Sequence, residues 1–302
     1  MNTKYRPRAS SFRALMACSL LIAAAKIALA EELKIGGAGP LLGTMELLAE
    51  AYNKTHPGHS VEVVPRDKNN KPLSMGTQLG IRTGIEGQYN GKPFVGFASE
   101  HVSDEQRKSG AQSIEVARVA LVFVVPSSAP PLENITTQQV IDIYSRKMRE
   151  WKPGEPIYLV RRPLQESDNT ILMDRIPQLR PFITALVDPT SDLGRGLPRV
   201  ANDAQESAAW IAEHRGAFGT SSMNLIITEK RSLKPLKLNG IEPSPPNVLS
   251  NDYPLQKRVC LVFGKNVTPE MMDFINFVRT SKESREIFSR TGHVFTSNTP
   301  GR

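Results

Sequence analysis

Leu33-Lys34-Ile35-Gly36-Gly37-Ala38-Gly39-Pro40-Leu41-Leu42 decides the fold. Leu33–Gly36 reads as a short strand and Gly37–Pro40 as a tight turn. From Leu41 to Asn53 the residues Leu41, Met45, Leu48, Ala49 and Tyr52 recur at helical spacing. His56-Pro57-Gly58-His59 stops that helix. Val61–Val64 then alternates like a strand, Leu73–Thr77 is a second loop leading into a helix that ends near Gly87, and Phe94–Ala98 is a buried strand. The order βαβαβ predicts a parallel sheet with helices on its faces.

Beyond it Val119–Val125 is a fully apolar strand stopped by Pro126, and the pattern restarts. Thr136–Tyr144 reads as a helix capped by Asn134 or Thr136. Pro156–Val160 is a strand ending in Arg161-Arg162. A polar loop, Gln165–Thr170, precedes a helix from about Ile171. Asp203–Glu213 is a helix, Ala217–Thr220 a strand, and Ile241–Asn247 a proline-rich crossing to the strand Val259–Phe263. Helices over Thr268–Arg279, with Thr268 as cap and Pro269 in the first turn, and Lys282–Arg290 close the pattern. The apolar strands Val119–Val125 and Val259–Phe263 flank a self-contained segment. The expectation is therefore an α/β protein of two lobes with mixed or parallel sheets: residues 31–125 with 236–302, and an inserted lobe of residues 126–235. A ligand cleft between them is expected at the carboxyl ends of strands.

With 302 residues, 39% of them hydrophobic and 23% charged, the chain is long and apolar enough for one large core or two modest ones. The formal charge of +8 is concentrated at the start. Residues 1–30 hold Lys4, Arg6, Arg8, Arg13 and Lys26 and no acid; taking these five from 38 leaves 33 basic against 30 acidic residues, or +3. That balance makes no case for nucleic acid. The same thirty residues read as an export signal: a basic stretch, the apolar run Ala14–Ala25, and Ala28-Leu29-Ala30 as a cleavage site. Lys26 interrupts the run before the roughly 20 residues a spanning helix needs. A lipoprotein cleavage at Cys18 is the alternative, but most of the apolar segment lies after Cys18. Cleavage after Ala30 would leave Cys260 as a single core thiol in an exported, periplasmic protein.

Three loops share one chemistry. Gly37–Leu42, Ser74–Thr77 and Glu166–Thr170 each precede a helix, where free N–H groups and the helix dipole favour an anion. Small or hydroxylated residues admit a ligand and add O–H donors, and Arg162 offers a planar fork to an oxyanion. Any one of these loops is explained by helix capping alone; three on two lobes point to a shared tetrahedral-anion site.

At these residues the sequence resembles the substrate-binding proteins of the high-affinity phosphate ABC transporter. The likeness runs over residues 33–295. Gly37-Ala38-Gly39 is similar to that family's opening turn, and Val95-Gly96-Phe97-Ala98-Ser99 to its strand ending in Ala-Ser. Asn134–Ser145, Trp151, Pro156-Ile157, Gly216-Ala217-Phe218-Gly219, Tyr253-Pro254-Leu255 and Phe274–Gly292 continue it. The resemblance implies a two-lobed, periplasmic-binding-protein-like fold of type II, a monomer that delivers a small oxyanion, phosphate first, to an ABC permease without cofactor, metal or covalent chemistry. It also implies the binding positions: backbone donors at Gly39, Leu41 and Leu42, the hydroxyl of Ser74, Ser99, the acceptor Glu100, and Arg162, Ser167, Asn169 and Thr170 of the third loop.

The chain departs from the family in that third loop. The family's Arg-x-Asp-Gly-Ser-Gly-Thr becomes Arg162-Pro163-Leu164-Gln165-Glu166-Ser167-Asp168-Asn169-Thr170, losing both glycines and presenting Glu166 and Asp168. At about 4 Å and an effective dielectric near 20, each carboxylate facing an anion costs about 4 kcal/mol per charge pair, roughly three decades of affinity. Either Asp168 turns away to cap the following helix, or the ligand carries less negative charge, as an aminated phosphonate or organic phosphate does. A sensor or scaffold with a decayed anion site is the alternative function. An exported hydrolase has least support, because no Gly-x-Ser-x-Gly, His-Glu-x-x-His or Cys-x-x-Cys occurs. His56 and His59 flank a turn rather than forming a metal pair. Ser221 and Ser222 read as a turn after a strand, with the cleft as their other possible outlook.

Overall fold

A computed structural model describes residues 31–129, 132–194 and 200–296. The export signal, its cleavage site and Cys18 lie outside the described residues. In chain order the strands are β1 (Glu31–Gly37), β2 (His59–Val63), β3 (Gln88–Tyr89), β4 (Lys92–Ala98), β5 (Gln112–Pro126), β6 (Asn134–Ile135), β7 (Tyr158–Leu159), β8 (Ala217–Ser222), β9 (Leu233–Pro235), β10 (Lys237–Leu238), β11 (Gln256–Phe263) and β12 (His293–Phe295). The α-helices are α1 (Leu42–Thr55), α2 (Thr77–Glu86), α3 (Asp104–Lys108), α4 (Thr137–Tyr144), α5 (Ser167–Arg175), α6 (Arg180–Val187), α7 (Ala204–Glu213), α8 (Met223–Thr228), α9 (Pro245–Leu249), α10 (Pro269–Thr280) and α11 (Lys282–Arg290).

The main sheet has the order β2-β1-β4-β11-β5-β8-β7. The pairs β2/β1, β1/β4 and β7/β8 are parallel, while β11 runs antiparallel to β4 and β5, and β5 antiparallel to β8. The fold is thus the expected mixed α/β sheet, and β5 is its spine. Only its apolar half, Val119–Val125, was visible as a strand in sequence; the strand runs 15 residues. Gln112–Ala120 pair with β11, and Leu121–Val124 with β8.

Two cores divide along that spine. One gathers Leu33, Met45, Phe97, Val116, Leu261, Phe274 and Phe288; the other gathers Leu121, Phe123, Leu159, Leu172, Ile211 and Phe218. Together they give the two lobes. On the first lobe, α2 lies against the sheet with backbone contact. A Cβ on Gly80 would stand 2.5 Å from Gly37 Cα, one on Gly84 2.6 Å from Val262 O, and one on Gly96 2.3 Å from Gly80 O. Only hydrogen at these positions lets helix and strand approach so closely.

Local signals place several ends as expected. Thr136 caps α4 in a reciprocal pair with Gln139. Thr268 caps α10, and Gly87 ends α2 in the left-handed conformation. Three elements differ from expectation. The helix α5 begins at Ser167, not near Ile171, because the side chains of Asp168 and Asn169 turn inward and fix what polar composition alone reads as loop. The proline-rich crossing contains α9, whose Pro245 and Pro246 occupy the first turn, where no N–H is needed. Ser221 and Ser222 are the last residues of β8 rather than a turn after it.

Candidate functional site

The third loop is built around Arg162, which is 4% exposed. Its Nε donates to Ala201 O at 3.2 Å, and its Nη2 to Glu166 Oε2 at 2.7 Å. Glu166 is the N-cap residue of α5 but makes no capping bond; its carboxylate turns to Arg162 instead. Asn169 Nδ2 donates to the carbonyls of Arg162 and Pro163 at 3.1 and 2.9 Å, tying the loop to the helix that follows. Ser167 is half-buried at the first helical position, and Thr170 is exposed.

Asp168 does not cap α5. It points inward, where Lys257 Nζ of β11 bonds Oδ1 and Thr220 Oγ1 of β8 donates to Oδ2 at 2.7 Å. Burial alone would raise the Asp168 pKa, but Lys257, Arg162 and the Thr220 hydroxyl outweigh it and hold the group at about 2. So the repulsion expected of Asp168 is already neutralised by Lys257. Glu166 behaves differently. Burial pushes its pKa up against the pull of Arg162, and Asp168 and Asp203 add to the rise.

The first two loops meet at Gly39. Ser74 Oγ accepts from the Gly76 N–H at 3.0 Å and lies 3.5 Å from Gly37 O. A Cβ on Gly39 would fall 3.0 Å from Ser74 Oγ and 2.7 Å from Gln205 Oε1, so glycine is what lets these side chains share one corner. Gln205 of α7 reaches across from the second lobe: its Nε2 donates to Gly39 O at 2.8 Å and to Glu229 Oε1 at 3.0 Å. Asn224 Nδ2 likewise donates to Pro40 O at 2.5 Å. The N–H groups of Leu41 and Leu42 differ from the free donors expected of them. A 3-10 turn over Gly39–Leu41 directs them to Ala38 O and Gly39 O, and both leucine side chains are buried.

Glu100, after the buried Ser99, takes its bond from Gln78 Nε2 at 2.7 Å, and burial raises its pKa. Ser99 Oγ is itself buried without a hydrogen-bond partner. The structure therefore joins Gly39, Ser74 and Gln205 directly. Arg162 is tied to the segment ahead of α7, on which Gln205 stands, by its bond to Ala201 O and by the Ala201 N–H to Arg161 O. Glu100 sits with α2, and Thr170 faces solvent.

Sequence reasoning missed Lys257, Thr220, Gln205 and Asn224. Lys257 carried a readable signal: it stands two residues before Val259 in an alternating strand, so it shares the buried parity of its apolar neighbours. Gln205 and Asn224 carried none, since their role depends on how the two lobes face. One further arrangement mimics a nucleophilic triad: Cys260 Sγ is 3.6 Å from His101 Nδ1, and His101 Nε2 is 3.3 Å from Glu115 Oε2. Cys260 is fully buried, however, and burial together with Glu115 raises its pKa, so the thiol stays protonated and out of reach. Among the described residues there is no cluster of three or more metal-ligating side chains, and no helix is long and apolar enough to cross a membrane.

A family model described as the PBP superfamily domain matches residues 23–282. The chain belongs to the PBP superfamily. Among solved structures, this superfamily member is similar to an ABC transporter substrate-binding protein with bound phosphate from Clostridium perfringens. The two share 21% identity with a TM-score of 0.69 over 88% of this chain and 99% of that one. It is also similar to an ABC-type phosphate transport receptor from Vibrio cholerae, with 19% identity, a TM-score of 0.59, and 88% and 100% covered. PstS from Borrelia burgdorferi matches at 18% identity and a TM-score of 0.52, with 88% and 98% covered. At these identities the likeness carries the two-lobed fold, and the ligand has to be argued from the cleft.

Proposed function

We propose that the protein is an exported substrate-binding protein that captures a small tetrahedral oxyanion, phosphate first, for an ABC importer. The observation that carries this reading is the meeting of loops from both lobes at one corner. Ser74 and Gly39 come from the first lobe, and Gln205, with the Arg162 loop bonded to Ala201 just ahead of its helix, from the second. Arg162 supplies a planar cationic fork, Ser74 and Ser167 supply hydroxyls, and the start of α5 supplies N–H groups. Glu100 is the acceptor for a protonated ligand oxygen, and its raised pKa suits a carboxyl that shares a proton. Binding closes the lobes about the β5 and β11 crossings, and the loaded protein hands the anion to a permease in the inner membrane. Arg162, Ser74, Ser167, Asn169 and Glu100 form the working set, with Gly39 as the point of close approach.

Titration calorimetry of protein freed of bound ligand, with phosphate, sulfate, molybdate and phosphonates, tests the proposal. A saturable heat with phosphate that R162A abolishes supports it. Absence of heat with every anion refutes it. A second reading, a sensor or scaffold with a closed anion site, is favoured by one observation: a carboxylate of the protein, Glu166, already holds Arg162. It predicts no heat in the wild type and none in S74A.

A further inference from the structure

The bond between Arg162 and Glu166 bears on which charge form of an anion the cleft accepts. Arg162 is buried with its Nε committed to Ala201 O and its Nη2 to Glu166. Glu166 is one-third exposed, with Oε2 fixed on the guanidinium. Among the described residues the charged groups that act on it are four. Arg162 lies on its own loop, Asp168 on α5, Lys257 on β11 and Asp203 at the start of α7. Lys257 is spent on Asp168, and both are buried. Asp203 Oδ1 accepts from the Glu206 N–H and caps α7. Among the described residues these charges, with Glu166 itself, comprise two cations against three carboxylates. An anion arriving at Arg162 finds no surplus positive charge among these groups and must share the guanidinium with Glu166. The repulsion from Glu166 scales with the ligand's charge.

We propose that Glu166, by holding Arg162 from inside the protein, makes the cleft select singly charged tetrahedral oxyanions over doubly charged ones. This rests on the oxyanion reading above and deepens it. The site would take dihydrogen phosphate, a phosphodiester, or a zwitterionic aminoalkyl phosphonate in preference to hydrogen phosphate. It differs from a closed site, because the Glu166 side chain is one-third exposed beside Arg162 and not buried.

The test is calorimetric titration with inorganic phosphate at about pH 6, where it carries one charge, and at about pH 8, where it carries two. Wild type, E166Q and E166A are compared. Gln keeps the shape and an acceptor for Arg162, and Ala removes both, so a packing defect in one variant does not mask the outcome. The expected result is at least tenfold tighter binding by wild type at pH 6 than at pH 8. Both variants should lose that preference by tightening at pH 8. Binding at pH 8 that appears only in the variants also supports the proposal. Equal wild-type affinities at the two pH values, with neither variant tighter at pH 8, overturn the filter and leave oxyanion capture standing. No heat from any of the three proteins at either pH overturns both.

Discussion

Lys257 of β11 and Asp168 of α5 form an ion pair with side chains only 2% and 3% exposed, at the place where the strand shared by both lobes passes beneath the loop of Arg162. Thr220 completes it from β8. The three residues come from three elements, and Lys257 faces Val119 on β5, next to the boundary between the two cores. The pair therefore ties the first turn of α5, where a ligand would be held, to the sheet that joins the lobes.

Burying two charges is costly, and removing one leaves the other without compensation. K257M is expected to destabilise the protein by roughly 3–5 kcal/mol, while K257M/D168L, which removes both charges, recovers most of that loss. Urea unfolding of the two variants measures it. A K257M protein within about 1 kcal/mol of wild type would show that the pair is water-accessible and the sheet packed differently from this description.

Acid stability turns on His293. It is 2% exposed on β12, its Nδ1 lies 2.9 Å from Thr291 Oγ1, and burial lowers its pKa to about 3. The unfolded chain binds a proton at this residue below about pH 6.5 and the folded protein does not, so stability falls as pH drops through that window, by up to about 1.4 kcal/mol per pH unit. Asp168 and Glu115, both held at about 2, act later. Their contribution is intact above the ordinary carboxylate pKa near 4 and is lost from there down to about pH 2. Glu166 and Glu100, with raised pKa values, oppose the trend in acid. Urea midpoints at about pH 7, 6 and 5 should fall in wild type and stay nearly level in H293Q. Parallel slopes in the two proteins would remove His293 as the cause.

The glycines under α2 give a prediction that couples packing to the site. Gly80 and Gly84 face Gly37 and Val262 at backbone distance, and the turn ahead of α2 carries Ser74. G84A places a methyl about 2.6 Å from a carbonyl oxygen that cannot yield. It should cost about 1–3 kcal/mol by forcing helix and sheet apart. Because α2 then moves with Ser74 and Gln78, the variant should also weaken anion binding, whereas G91A on an exposed turn should not. Thermal melting and calorimetry of the pair separate the two effects.

The sheet was legible in sequence because its strands are apolar runs with glycine turns between them, and the helix caps at Thr136 and Thr268 declared their own starts. The polar half of β5 was not legible: Gln112–Arg118 pairs with β11 through its backbone, and its partly buried Ser113, Glu115 and Arg118 interrupt the apolar run that marks the other half. The proposed site is read from residue types in loops. Its charge balance is not. Whether Asp168 and Glu166 repel a ligand depends on which cations they meet, and Lys257 lies 89 residues away from Asp168 in the chain. Such pairing is a property of the assembled sheet, which a linear pattern does not carry.

Gln205 gives the last prediction. Its side-chain amide bridges Gly39 O on the first lobe and Glu229 Oε1 on the second, and Glu229 is independently held by Arg231 at 2.6 Å. With both neighbours accepting, the amide nitrogen must face them, and Oε1 is left buried without a partner. Q205A removes the bridge without unpairing Glu229, so the loss falls on the contact between lobes. A net hydrogen bond contributes about 1 kcal/mol, and Asn224 still holds Pro40 O. The variant should thus stay folded, with an unfolding free energy within about 1–2 kcal/mol of wild type. Its unliganded lobes should separate more readily, increasing the radius of gyration in solution scattering and speeding amide exchange in the Gly39–Thr44 turn. Unchanged scattering and exchange in Q205A would mean that the lobes are held by their apolar contacts alone, with Gln205 a bystander at the corner it occupies.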